Sequence, residues 1–353
     1  MFTQLCSARR AFLLPLIFVS FSLASCESKP PAAGEIGNVS LTGAGASFPS
    51  PLYQRWFSVY NQQKPNVRIS YQSIGSGAGV EQFIQGTVDF AASDVAITDE
   101  QADSVKRGVI TLPMTAGSIV LAYNLPNVQT GLKLPREVYT DIFLGNIKNW
   151  NDPRIAAANP GVNLPDLPIR VVHRSDGSGT TAVFTQHLSA ISPEWKSKVG
   201  AAKTVDWPLG IGAKGNEGVT AQIKQGQGTI GYVEYGYATQ NNLPVAALEN
   251  QAGNYITPTP ESAARSLEAV KLPADDLIAF ITDPAGEQSY PIVTYTWLLT
   301  YDQYQDPNKA QVLEDFVDWA LTEGQKYSAQ LGYIPLPAKV VDKVQSAAEQ
   351  IAE

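Results

Sequence analysis

The residues best suited to chemistry lie together in one stretch, Val171 to Thr181. It contains His173, Arg174, Ser175, Asp176, Gly177, Ser178, Gly179 and Thr180. The branched residues Ile169, Val171 and Val172 suit a strand. Asp176-Gly177-Ser178-Gly179 is turn chemistry, and Val183, Phe184 and Leu188 then recur at helical spacing. A glycine-rich turn that opens a helix offers free backbone N–H groups at the positive end of the helix dipole. Arg174 adds a planar fork of donors that fits an oxyanion, and Ser178 and Thr180 add hydroxyls. This chemistry suits a small tetrahedral oxyanion. By itself the stretch also fits an Arg174–Asp176 pair that braces an ordinary turn.

The same theme occurs twice more upstream. Val39-Ser40-Leu41-Thr42 runs into Gly43-Ala44-Gly45. A helix follows, with Pro49 or Pro51 in its first turn and Leu52, Trp56, Val59 and Tyr60 on one face. Ser47 and Phe48 then stand at a helix N-terminus. Val67 to Ile74 alternates like a strand and meets Gly75-Ser76-Gly77-Ala78-Gly79, with a short helix from Val80 to Gln85. Val88 to Asp94 is an apolar, small-residue run that ends in a carboxylate. One such turn is packing, whereas several predict helix N-termini converging at the carboxyl ends of strands in an α/β sheet.

The elements that must position these turns are legible in outline. Thr111 to Asn124 reads as a buried strand, with a crossover between domains near Pro113 to Gly117. Lys133 to Trp150 reads as helical with a stop at Gly145-Asn146. Ser192-Pro193 starts a short helix. Gly210-Ile211-Gly212-Ala213-Lys214-Gly215 matches G-x-G-x-x-G by letter, but Pro208 stands where a buried strand should run. It reads as a flexible loop before the helix Val219 to Lys224. Thr229 to Tyr235 and Ile292 to Leu299 read as strands, and a second crossover falls near Glu287 to Pro291. Val312, Phe316, Trp319 and Ala320, and later Val340, Val344, Ala347, Ala348 and Ile351, mark two closing helices.

Composition limits the function classes. The 353 residues are 44% hydrophobic and 16% charged, a globular balance with room for one large or two medium domains. The net charge is −8, and the first 25 residues contribute only Arg9 and Arg10, so the rest is more acidic still. That argues against nucleic acid or an anionic membrane surface as partner. An anion site here must work through local donors. Arg9-Arg10 followed by the apolar run Ala11 to Leu23 reads as an export signal too short to span a bilayer. It ends in Leu23-Ala24-Ser25-Cys26, which resembles a bacterial lipoprotein signal with Cys26 as the lipidated residue. An ordinary signal peptide is the alternative. Lys29 to Gly37 is a tether. The two cysteines, Cys6 and Cys26, leave no intramolecular disulfide once the signal is removed. The two histidines, His173 and His187, do not meet zinc spacings. His173, Asp176 and Ser178 lie too close in one strand-turn to form a hydrolytic triad.

Several stretches together resemble the phosphate-binding protein family of bacterial high-affinity phosphate ABC transporters. They are LTGAGASFPSPLY (Leu41–Tyr53), IGSGAGV (Ile74–Val80), VDFAASD (Val88–Asp94), HRSDGSGT (His173–Thr180), GAKGNEGV (Gly212–Val219) and TIGYVEY (Thr229–Tyr235). The resemblance runs from about Val39 to Leu336. It implies a two-lobed, hinged α/β periplasmic-binding-protein fold, each lobe a central mixed sheet flanked by helices, with the ligand in the cleft between them. The corresponding division is signal peptide 1–25, anchor and tether 26–38, lobe I 39–114 and 291–353, and lobe II 115–290. The resemblance also implies a phosphate site at Ser47, Phe48, Ser76, Asp94, Arg174, Ser178, Gly179 and Thr180, with Asp176 supporting Arg174. Two positions depart from the familiar family pattern, which has threonine where Ser47 stands and arginine where His173 stands.

Asp94 fits this reading chemically. A carboxylate repels anions unless the anion brings a proton, as phosphate does near neutral pH. Sulfate brings none and would leave the carboxylate unpaired, at a cost of about 1–3 kcal/mol or more. The alternative role for Asp94 is to cap a turn. The implied protein is an exported, lipid-anchored monomer, periplasmic or at the cell surface. It would hand inorganic phosphate to an ABC-type permease, with no cofactor, no metal, no nucleic acid and no catalytic activity. A receptor for sulfate or molybdate, or a phosphatase-like enzyme, is the competing class.

Overall fold

A computed structural model describes residues 37–268, 270, 273 and 277–351. The expected signal peptide, Cys26 and the expected tether up to residue 36 lie outside the described residues. The strands are β1 (Val39–Gly45), β2 (Val67–Ser73), β3 (Phe90–Ser93), β4 (Ile110–Asn124), β5 (Lys133–Leu134), β6 (Arg170–Arg174), β7 (Ile211–Ala213), β8 (Thr229–Glu234), β9 (Ala247–Glu249), β10 (Tyr255–Ile256) and β11 (Val293–Thr300). The helices up to the middle of the chain are α1 (Ser50–Gln63), α2 (Ser76–Ile84), α3 (Asp99–Asp103), α4 (Arg136–Leu144), α5 (Pro153–Ala158), α6 (Gly179–Ile191) and α7 (Pro193–Lys198). They continue as α8 (Gly215–Gln225), α9 (Tyr235–Gln240), α10 (Pro260–Leu267), α11 (Pro307–Leu321), α12 (Gln325–Gln330) and α13 (Ala338–Ala348).

The main sheet has eight strands in the order β2-β1-β3-β11-β4-β8-β6-β7. β4 is its axis. Residues Ile110 to Ser118 pair antiparallel with β11, and Ile119 to Asn124 pair antiparallel with β8. β1 is parallel to β2 and β3, β3 is antiparallel to β11, and β6 is parallel to β7 and β8. These senses have a geometric consequence. β1, β2 and β3 run in the direction of β4, while β6, β7 and β8 run against it. The carboxyl ends of the two parallel groups therefore point at each other across the middle of β4. That is where ligands bind in open α/β sheets. β4 is shared, so each half has its own sheet as expected, β1, β2, β3 and β11 beside residues 110–118 and β6, β7 and β8 beside residues 119–124. A 15-residue strand is long enough to serve both halves, and residues 38–353 hold together as one unit. The register of β4 against β11 slips by one residue beside Pro113, within the predicted crossover. Proline supplies no N–H to the ladder, so a bulge there is expected.

Local chemistry explains the flanking helices. α1 has proline in its first turn and buries Leu52, Tyr53, Trp56, Phe57 and Tyr60. Val59, expected on that face, stands at its margin. α4 is shorter than the predicted 133–150 span. Pro135 holds its N-cap, and Gly145 ends it in the left-handed region at φ 79°. Ser192 caps α7, accepting from Trp195 N–H. The segment read as a flexible loop, Gly210 to Gly215, is ordered. Ile211 to Ala213 pair with β6, and Gly215 turns at φ 71° into α8. It is a fourth strand–glycine turn–helix unit.

Candidate functional site

Four helix N-termini meet at the facing strand ends. α1 is entered through Ser47 and Phe48, and α2 begins at Ser76. α6 begins at Gly179, and α8 begins at Gly215. Their turns touch directly. Gly77 N–H donates to Gly177 O at 2.8 Å, and Gly179 N–H donates to Ser76 Oγ at 3.2 Å. Asn216 N–H donates to Ser47 Oγ at 2.9 Å. Glycine permits this approach. A Cβ on Gly179 would sit 2.6 Å from Ser76 Oγ and 2.7 Å from Asp94 Cβ, and one on Gly75 would sit 2.3 Å from Asp176 Oδ2. First-turn N–H groups have no carbonyl four residues back, so four such termini concentrate unpaired donors and positive potential.

Arg174 ends β6 and is 4% exposed. Its Nε and Nη2 donate to Asp176 Oδ1 and Oδ2 at 2.7 and 2.5 Å. Both partners of the expected pair are therefore present, and the pairing refines the expected fork. One bidentate edge of the guanidinium is consumed by Asp176, and only the Nη1–Nη2 end can address an anion. Nη1 already leans on Thr180 Oγ1 at 3.4 Å. Burial alone would depress the Arg174 pKa, but the Asp176 carboxylate outweighs it and holds it above its usual value. Asp176 pays a burial penalty too, yet Arg174 pulls it below the usual carboxylate value. Asp176 Oδ1 also accepts from Gly215 N–H at 3.1 Å, which ties β6 to the start of α8.

Asp94 follows β3 and is 1% exposed. Its Oδ1 accepts from Thr296 Oγ1 at 3.0 Å and its Oδ2 from Thr180 Oγ1 at 3.2 Å. Both partners are side-chain hydroxyls, so Asp94 is not the helix or turn cap that sequence left open. Burial pushes its pKa from the ordinary 3.8 up to about 7, against the opposing pull of Thr296, Arg174, Thr180 and Lys203. The carboxyl thus sits where it can hold or release a proton near neutral pH.

The other expected residues divide in their roles. Ser76 Oγ accepts from Gly179 N–H and, at 3.4 Å, from Asp94 N–H. Both lone pairs are engaged, and its hydrogen is left to donate. Ser178 caps α6 through its Oγ, which accepts from Thr181 N–H, while its own N–H goes to Lys203 O at 2.9 Å. Only its hydroxyl hydrogen is left for a ligand. Phe48 packs its ring on Tyr333 and against Gly117 of β4, where a Cβ would meet the ring at 2.8 Å. The carbonyls of Ala46, Ser47 and Phe48 each accept from a tyrosine hydroxyl: Tyr71 at 2.7, Tyr237 at 2.7 and Tyr333 at 2.6 Å. With the carbonyls held back, the turn is fixed with its amides toward the strand ends.

Sequence reasoning missed Asn216, Thr296 and the three tyrosines. Asn216 was inside a quoted family stretch, but its turn was read as a loop. Thr296 and Tyr71 sit on strands, Tyr237 on a helix and Tyr333 after the turn that follows α12, and none of them carries a local signal. His173 is beside the site. Its Nδ1 lies 3.0 Å from Arg174 O, and its ring stacks on Trp207 at 4.9 Å. Burial lowers its pKa. His173, Asp176 and Ser178 engage separate partners and form no triad. Among the described residues, no group of three or more His, Cys, Asp or Glu side chains could hold a metal ion.

Comparison with known proteins settles the family. Residues 27–323 match the model of the PBP superfamily domain. A phosphate-binding protein PstS of Pasteurella multocida is 43% identical over 340 residues, covering 96% of this chain and 95% of the relative. One from Methanocaldococcus jannaschii is 38% identical, covering 97% and 94%. The chain belongs to the PstS family of phosphate-binding proteins. Solved structures agree on the two-lobed α/β fold. A phosphate-binding protein from Stenotrophomonas maltophilia aligns with a TM-score of 0.71 at 19% identity, over 87% of this chain and 93% of that one. A phosphate ABC transporter substrate-binding protein from Clostridium perfringens, solved with phosphate, aligns at 0.62 and 19%, over 85% and 100%.

Proposed function

We propose that this chain is an extracytoplasmic receptor that captures inorganic phosphate between its two lobes and delivers it to an ABC-type permease. The observation that carries the reading is Asp94. A buried carboxyl is set opposite Arg174 and the donor-rich N-termini of α1, α2 and α6. Donors alone would hold any oxyanion. A carboxyl among them favours an anion that can donate a hydrogen, and phosphate keeps at least one proton near neutral pH. In this reading the Nη1–Nη2 end of Arg174, the hydroxyls of Ser47, Ser76 and Ser178, and first-turn amides at Phe48 and Thr180 embrace the oxygens, while Gly179 N–H holds Ser76 and the Thr180 hydroxyl holds Asp94. The two relatives described above, named phosphate-binding proteins and aligned over nearly the whole chain, support the same substrate.

The lobes in this reading are 39–114 with 291–353, and 115–290, hinged where β4 passes its bulge. Lobe closure would bury the anion. Export, lipidation at Cys26, a monomeric state and docking on permease subunits belong to the same proposal. Among the described residues no helix is long and apolar enough to cross a membrane. Calorimetry on phosphate-free protein tests the substrate. Phosphate should bind at least about 100-fold more tightly than sulfate, because sulfate has no hydrogen to donate to the Asp94 lone pairs that Thr296 and Thr180 leave open. Sulfate or molybdate affinity equal to that for phosphate would refute it.

A further inference from the structure

We propose that Asn216 is a positioning residue that sets the direction of the site's hydroxyl hydrogens. It occupies the acceptor positions of Ser47 and one of those of Thr180, leaving the Ser47 hydrogen for the anion and the Thr180 hydrogen for Asp94. The proposal rests on the phosphate reading above.

Asn216 is fully buried in the first turn of α8, directly after the left-handed Gly215. The orientation of its amide is determined by its neighbour. Glu234 N–H, which can only donate, points at Oδ1 at 2.9 Å. The NH2 group must then face the site. One of its hydrogens reaches Ser47 Oγ at 3.0 Å and the other Thr180 Oγ1 at 3.2 Å. The backbone N–H of the same residue donates to Ser47 Oγ at 2.9 Å. A serine hydroxyl has two lone pairs and one hydrogen. Both lone pairs of Ser47 are taken by Asn216. Among the described residues its hydrogen has no acceptor, and the side chain is 1% exposed. A buried hydroxyl forced to donate, with only the ligand space to donate into, is a pre-oriented anion contact that needs no reorganisation on binding.

Thr180 follows the same logic. Its Oγ1 receives from Arg174 Nη1 at 3.4 Å and from Asn216, so its hydrogen goes to Asp94 Oδ2. Asn216 itself is satisfied throughout, since its carbonyl accepts from Thr220 Oγ1 at 2.8 Å. It therefore joins the α1 turn to the α6 turn, from positions 169 and 36 residues distant in sequence.

Asn216→Asp is the informative change, because it keeps the shape and the oxygen that accepts from Glu234 N–H. It replaces the NH2 donor with an acceptor, and the Ser47 hydrogen turns toward it. Phosphate affinity is measured by calorimetry for the wild type, Ser47→Ala, Asn216→Asp and the double variant. We expect Ser47→Ala to cost at least about 10-fold in the wild type and less than about 2-fold in the Asn216→Asp background. Asn216→Asp alone should cost about 100-fold in phosphate affinity. Affinity within about 3-fold of wild type for Asn216→Asp, or losses that simply add in the double variant, would overturn the proposal. Additive losses would mean that the new carboxylate only repels the anion. If Asn216→Asp fails to fold, Asn216→Ala gives the same comparison. The Ser47→Ala cost should shrink at least about 3-fold in that background, and an undiminished cost overturns the proposal. A wild type that binds no phosphate would instead refute the phosphate reading, and the two failures are separable.

Discussion

Replacing Asp94 with asparagine tests the buried carboxyl in isolation. Burial raises its pKa from 3.8 to about 7 in the folded protein. Below about pH 4 the carboxyl is protonated both folded and unfolded, and it imposes no penalty. As the pH rises, the unfolded chain releases the proton first while the folded protein retains it until about pH 7. Stability present at low pH is therefore lost as pH climbs through that window. At 1.36 kcal/mol per pKa unit, the difference amounts to about 4 kcal/mol at full ionisation. Glu234 adds to the slope in the same direction, since burial raises it from 4.5 to about 8. It is present in both proteins, and since the Asp94 charge is the smallest of its causes it largely cancels from their difference. Asparagine carries no proton to lose. It retains one of the two oxygens that accept from Thr296 and Thr180, so it costs about 1 kcal/mol at every pH. Urea unfolding of phosphate-free protein from pH 4 to 9 provides the assay. The stability of Asp94→Asn relative to wild type should rise by about 2–4 kcal/mol between pH 4 and pH 9. Parallel profiles for the two proteins would refute the reasoning.

Two further changes address the anion contacts. Arg174→Ala removes the buried cation and strands Asp176, so phosphate binding should weaken by about 2–5 kcal/mol in calorimetry. Wild-type affinity would show that Arg174 only braces its turn. Gly179→Ala places a methyl group 2.6 Å from Ser76 Oγ and 2.9 Å from Asp94 N. Phosphate affinity should fall at least about 100-fold, although alanine is the better helix former. Unchanged affinity would show that the α6 turn does not close on Ser76.

The sequence by itself determined most of the local frame. Glycines, prolines and hydroxyl residues punctuate the chain at the starts of α1, α2 and α6. Turn chemistry acts over three or four residues, so these turns could be read directly, although α2 begins at Ser76, inside the glycine turn, and not at the expected Val80. The pairing of Arg174 with Asp176 was legible for the same reason, being only two residues apart. The G-x-G-x-x-G stretch forms β7 and the turn into α8. It was wrongly read as a flexible loop, because three residues of strand become visible only when β6 is there to pair with them. The stop expected at Gly145-Asn146 is where α4 ends, while Lys133 and Leu134 at the front of the expected span are a short strand that needs β9 to pair with it.

Only the tertiary structure decided which side chains face each other. Thr296 reaches Asp94 across 202 residues and Asn216 reaches Ser47 across 169. Such contacts depend on the opposed directions of β1–β3 and β6–β8 about β4, a property of pairing that no local pattern encodes. The raised pKa of Asp94 has the same origin. A carboxylate in a short apolar run could have been a solvated cap, and it becomes a proton-holding group only because packing removes its water.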